Sequence, residues 1–197
     1  MGKTQKQWAY SLEQLYEDQE PELVVDGIAH LIAWLDPEDR ARSHRFELRE
    51  ATRQGTVEHE LVVSWDIAML AKRDARLEAD LARFRARRTL TLEDQTKYAA
   101  YGLALVAISC LLRRRVVDVS FFRPPDLLLD ATPAALRGVE VAGRGTKGYS
   151  GFARVLEGST GEPGKRHQLT GREDIAEAYV SLWCREPRVA IWERVKP

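Results

Sequence analysis

Cysteine is scarce in this 197-residue sequence, with Cys110 and Cys184 the only two. Two thiols cannot build the disulfide framework of a small secreted domain, nor a four-thiolate zinc ribbon. Both fall in apolar stretches that suggest helix, so they are expected as buried thiols in a reducing compartment. The four histidines, His30, His44, His59 and His167, show no metal-ligand spacing. No apolar run reaches the roughly 18 residues of a membrane span. The first residues, Met-Gly-Lys-Thr-Gln-Lys, lack the apolar core of a signal peptide. Gly2 is not followed by Ser or Thr at position 6, so the myristoylation pattern is not met. Internal repeats and low-complexity tracts are missing too. A soluble, cytoplasmic protein with no membrane contact is the expectation.

Net charge is also lacking, because 30 Lys and Arg balance 30 Asp and Glu. The balance is uneven along the chain. Residues 1–70 hold 7 basic and 14 acidic residues, and residues 71–197 hold 23 and 16. A basic segment can attract a phosphate backbone, and Arg83, Arg85, Arg87, Arg88 and Arg113–Arg115 are its densest points. The same residues can instead be solvated helix ends that complement the helix dipole.

What is present is ordinary globular composition, 44% hydrophobic and 30% charged. Trp8, Leu12, Leu15 and Tyr16 predict a helix over residues 6–20, and the stripe from Leu23 to Leu35 predicts a second, ended by Asp36-Pro37. Residues 38–53 have few apolar anchors and suggest an exposed helix or an irregular connection. Val57, Leu61, Trp65 and Met69 recur every four residues and predict a long helix over 57–88, of a length that wants a partner helix along it. Thr91 with Glu93 and Asp94 caps a further helix that runs to about Leu112 and should be the most buried.

After Arg115 the pattern turns β-branched and aromatic. Strands are predicted over 116–122, 126–130 and 137–142, then a short helix over 149–157 and a loop over 158–165. Ile175, Ala178, Tyr179, Leu182 and Trp183 predict a helix over 171–184, and Pro187 precedes a last strand over 188–195.

Strand side chains alternate faces. If 126–130 and 137–142 pair as a hairpin, a connection of odd length puts Asp126 and Glu140 on one face, and an even length separates them. The segment Ala131–Leu136, with Pro133, permits either. Two adjacent carboxylates would make an oxygen-rich site suited to Mg²⁺ or Mn²⁺.

The element order, Pro124-Pro125-Asp126 ahead of a strand, and the strand Gly138-Val139-Glu140-Val141-Ala142 together resemble the PD-(D/E)xK nuclease superfamily, the restriction-endonuclease-like fold. The resemblance covers roughly Thr91–Val195, about half the chain, and its motif is short. It implies a metal-dependent nuclease acting on DNA, with Asp126 and Glu140 on Mg²⁺ or Mn²⁺. Glu93 is the candidate for the glutamate that the family's preceding helix often carries. The family's lysine, two residues after the glutamate, is replaced by Ala142. Arg144, Lys147 and Lys165 are the candidates to supply that cation, although an arginine would serve poorly as a base.

Other motifs carry less. Gly143-Arg-Gly145-Thr-Lys-Gly148 fits G-x-G-x-x-G after a strand, a loop able to approach phosphate, but no acid follows about twenty residues on. Glu58-His59-Glu60 lacks the paired cysteines of a deaminase. Gly148-Tyr-Ser150-Gly151 is one residue short of a nucleophile elbow. The expected architecture is α+β: a helical region over residues 1–88 and a nuclease-like α/β core with a mixed sheet over 89–197. The alternative function is a catalytically inactive subunit that binds DNA or assembles with a protein partner through the N-terminal helices. An unrelated structural or regulatory α+β protein is a third reading. The sequence leaves a homodimer open.

Overall fold

The computed structural model describes residues 6–52, 55–86, 91–120, 123–130, 132 and 135–197. Gly2, Arg87, Arg88, Ala131 and Pro133, all named above, lie outside the described residues, as do residues 121–122 of the strand expected over 116–122.

In chain order the elements are β1 (Lys6–Ser11), a 3-10 turn, α1 (Leu15–Asp18), α2 (Pro21–Leu35), β2 (Ser43–Thr52), β3 (Gly55–Ser64), α3 (Ile67–Ala71) and α4 (Leu77–Arg85). Next come α5 (Leu92–Ala107), continued by a π turn to Leu112, then β4 (Asp118–Val119), β5 (Leu127–Asp130), β6 (Leu136–Arg144) and α6 (Gly148–Glu157). The chain ends with β7 (Gly158–Ser159), β8 (Glu162–Pro163), α7 (Lys165–Thr170), β9 (Ile175–Cys184) and β10 (Val189–Lys196). Eight strands form one mixed sheet in the order β1-β3-β2-β10-β9-β6-β5-β4. The α+β class is therefore as expected.

Four expectations are corrected. Residues 6–11 are a strand, and only the following turn and α1 are helical. The connection expected at 38–53 contains β2, where Phe46 and Leu48 are buried and alternate with exposed neighbours. The long helix over 57–88 is instead β3, α3 and α4. A four-residue spacing fits a strand as well as a helix, because i and i+4 share a face in both. The deciding residues lie between: His59, Leu61 and Val63 are all buried, which is the two-residue period. The helix expected over 171–184 is β9, buried from Ala178 to Cys184 without interruption. A strand covered on both faces satisfies any period, so the helical spacing there carried no information. Cys184 is accordingly a buried strand residue, while Cys110 stays in a helix and is half-buried.

The described residues fall into two compact units, each discontinuous in sequence: Lys6 with those of 47–59 and 116–197 in one, and those of 7–46 and 60–115 in the other. In the second unit α2 packs on α4 and α5 through Val24, Ile28, Leu31, Ile32 and Leu35, none more than 2% exposed. Trp34 Nε1 donates to Thr96 Oγ1 at 3.1 Å inside this core. Leu92–Leu112 is long and apolar enough to cross a membrane, but 67% of its apolar window is buried in the protein, as in a core helix.

The first unit is built on β6, β9 and β10. β6 and β9 run parallel with Glu140 beside Val180, and β9 and β10 run antiparallel with Val180 beside Glu193. β4, β5 and β6 form an antiparallel meander. Ala178, Val180, Leu182 and Cys184 point to one face and pack with Phe152 and Leu156 of α6 and Leu169 of α7. Glu140 and Ala142 share that helix-covered face. The site is placed by this layer.

Candidate active site

β5 and β6 pair with Leu127 opposite Val139 and Leu128 opposite Gly138. One step further the same register sets Asp126 opposite Glu140, so the two acids share a face. The hairpin therefore adopts the register that brings them together. Gly138 makes the pairing possible, because a Cβ there would lie 2.4 Å from the Leu127 carbonyl oxygen and 2.4 Å from Pro125 Cγ. No larger residue lets Pro125, and with it Asp126, approach β6 so closely.

Asp126 lies just before β5, one residue beyond the last backbone pair of β5 with β6, Leu127 with Val139. Its Oδ2 accepts the Val141 N–H at 2.8 Å and so extends the ladder with a side chain. That bond gives Asp126 a structural role in addition to any chemical one.

Glu140 is 2% exposed. Lys165, the first residue of α7, places its ammonium on Glu140 Oε1 in an ion pair, and the lysine side chain is 25% exposed. Glu140 Oε2 is buried and accepts no hydrogen bond among the described residues. A buried carboxylate oxygen left unpaired costs about 1–3 kcal/mol and asks for a ligand or a proton. The Glu140 carboxyl is pushed up to about 7, first by burial and next by the neighbouring Asp126 charge, with Lys165 pulling the other way.

Arg144 and Lys147 separate from this cluster. Arg144 is exposed at the far end of β6 beside Cys184, roughly 13 Å along the strand from Glu140 at about 3.3 Å per residue. Lys147 is exposed at the start of α6 with φ of 77°. Of the three candidate cations, Lys165 is the one that the fold brings onto an acid. Glu93 is exposed in the first turn of α5, in the other compact unit. The G-x-G-x-x-G run has a packing explanation at its last position. Gly148 has φ of 51°, and a Cβ on it would sit 2.9 Å from Pro187 Cγ.

Two arginines that sequence reasoning passed over hold the cluster's supports. Arg166 forks onto Glu193 with two 2.7 Å bonds and also meets Glu157, which ties α7 to β10 and α6 beside Lys165. Arg172 donates from Nε to Asp174 Oδ1 at 2.8 Å, from Nη2 to Asp174 Oδ2, and from Nη1 to the Pro124 carbonyl. The adjacent Lys165-Arg166 pair was the available signal for the first. Arg172 had only the nearby Asp174 as a signal, because its second partner, the Pro124 carbonyl, is 48 residues away in sequence.

Asp126 and Glu140 supply the hard oxygen donors that Mg²⁺ or Mn²⁺ prefers, and the unpaired Oε2 is a donor in want of a cation. Among the described residues no group of three or more His, Cys, Asp or Glu gathers as a metal cage. Two carboxylates nonetheless fit Mg²⁺, which keeps several waters and takes substrate phosphates. The other unit has an open cleft of about 500 Å³ lined by Asp39, Arg42, Asp66, Glu78 and Arg85 among others. Arg42 and Arg85 are already paired there with Asp36 and Asp39. No protein-family model, curated protein or solved structure matches the chain.

Proposed function

We propose that the chain is a metal-dependent nuclease acting on DNA, on a restriction-endonuclease-like core. The observation that carries this reading is the convergence of Asp126, Glu140 and Lys165, with one buried Glu140 oxygen left unpaired. The order α5, β4, β5, β6, α6, β9 supports it, with β9 parallel to β6 after the helical crossover.

In this reading Asp126 and Glu140 hold a divalent cation. Such an ion, when bound, neutralises phosphodiester charge and acidifies water. Lys165 keeps its ammonium on Glu140, where it balances charge that builds on the phosphate and orients the attacking water. The α6–α7 layer excludes solvent from the inner side of Glu140, which strengthens each of these interactions.

Ala142, at the family's lysine position, favours a second reading, a non-cleaving DNA-binding or assembly subunit on the same core. Plasmid and linear DNA incubated with Mg²⁺ or Mn²⁺ separate the two. Cleavage by the wild type, reduced about 100-fold or more in each of Asp126→Ala, Glu140→Ala and Lys165→Ala, is the expected result. Salt-sensitive binding without cleavage selects the second reading. Neither activity sinks the nuclease and the DNA-binding readings and leaves assembly alone.

A further inference from the structure

The structure assigns Arg172 the task of setting Asp126 against β6. The inference rests on the proposed site, since the position of Asp126 matters to function only if that acid is used. Asp126 lies two residues after Pro124, whose carbonyl accepts from Arg172 Nη1. The other side of the same guanidinium is forked onto Asp174. Asp174 is itself registered on β6, because its carbonyl oxygen accepts the Leu136 N–H at 2.8 Å. Lys196 Nζ donates to the Arg172 carbonyl at 2.6 Å and ties the backbone of the same turn to β10. Arg172 thus bridges the α7–β9 turn, already fixed to β6 and β10, to the segment that delivers Asp126. A planar fork with donors on two sides can do this, and a point-charge ammonium cannot.

The residue acts through Asp126, so it is a positioning residue. Its effect is read at the Val141 amide, which donates to the Asp126 carboxylate. Amide hydrogen exchange is measured on the full chain for wild type, Arg172→Ala, Arg172→Lys and, as a reference, Asp126→Ala. Both Arg172 variants should speed Val141 exchange about tenfold or more, approaching the Asp126→Ala value, while Val139 and Val180 stay within about twofold of wild type. Unchanged Val141 exchange, an equal loss of protection along all of β6, or full protection in Arg172→Lys overturns the assignment. If the alanine variant does not fold, the lysine variant decides alone by the same criterion. Mn²⁺ titration of the wild type runs alongside. No Mn²⁺ uptake removes the metal reading of the site, whereas the clamp stands or falls on the exchange data.

Discussion

Glu140 makes the stability of the metal-free protein depend on pH in an unusual direction. Most carboxylates with partners are more acidic in the fold and stabilise it above their unfolded pKa. Glu140 is held up at about 7 from an ordinary value of 4.5. Below about pH 4.5 the carboxyl is protonated in both states, and above about 7 it is ionised in both. Between them the folded chain binds the extra proton, so this group's contribution falls as pH rises. At about 1.4 kcal/mol per pKa unit, the loss across that window is about 3 kcal/mol.

Glu140→Gln keeps the shape and removes the titration. Urea unfolding in EDTA, from about pH 4 to pH 8, should show the variant near wild type at the acid end and about 3 kcal/mol more stable at the basic end. Subtracting the two curves cancels every group that the substitution leaves alone. A flat difference, or one that favours wild type at pH 8, would refute the argument, because Lys165 would then outweigh the burial of the charge.

Three further substitutions test the supports of the fold. Gly138→Ala drives a methyl group to 2.4 Å from the Leu127 carbonyl and Pro125, and should cost about 2–4 kcal/mol in denaturant unfolding, with the hairpin that carries both acids disrupted. Thr96→Val leaves the buried Trp34 N–H without its 3.1 Å acceptor and should cost about 1–3 kcal/mol, read from the melting temperature. Thr91→Ala removes the hydroxyl that accepts the Asp94 N–H at 3.1 Å at the start of α5, and a loss of about 1 kcal/mol is expected in thermal unfolding.

The acids were legible in the sequence because strand alternation constrains them locally. Val139, Glu140 and Val141 read as a strand, and Pro125-Asp126 read as the entry to its neighbour. Their meeting depended on the parity of one connection and on a bulge between Leu128 and Asp130 that shifts the register by one residue, which no residue there signalled. The helices α2 and α5 were legible for a similar reason, since each has a stripe or a cap that only a helix explains. β9 was not, because Tyr179, Val180, Leu182 and Trp183 are buried on both faces and leave no polar side to set a period. β3 failed through the ambiguity of a four-residue repeat. The roles of Arg172 and Arg166 were hard to read because Pro124 and Glu193, the partners that give them those roles, are brought in by tertiary structure, and arginines were plentiful across the second half of the chain.

The lack of a lysine at 142 and the ion pair of Lys165 with Glu140 follow from the same layer that hides Glu140. Ala142 stands beside Leu182 and packs against the apolar cluster of Phe152, Leu156 and Val180 under α6. A lysine at 142 would carry its ammonium into that cluster, where an unpaired charge costs several kcal/mol and disturbs the packing of α6. Lys165 starts at the rim instead, with a quarter of its side chain in solvent. It reaches Glu140 from the helix side with its stem along the apolar layer and its charge at the edge. Arg166, the next residue, forks onto Glu193 and holds the helix that aims it. An alanine on the strand and a lysine on the helix are therefore two parts of one arrangement: the small residue lets the helices cover the sheet, and the covering helix sets a cation on Glu140.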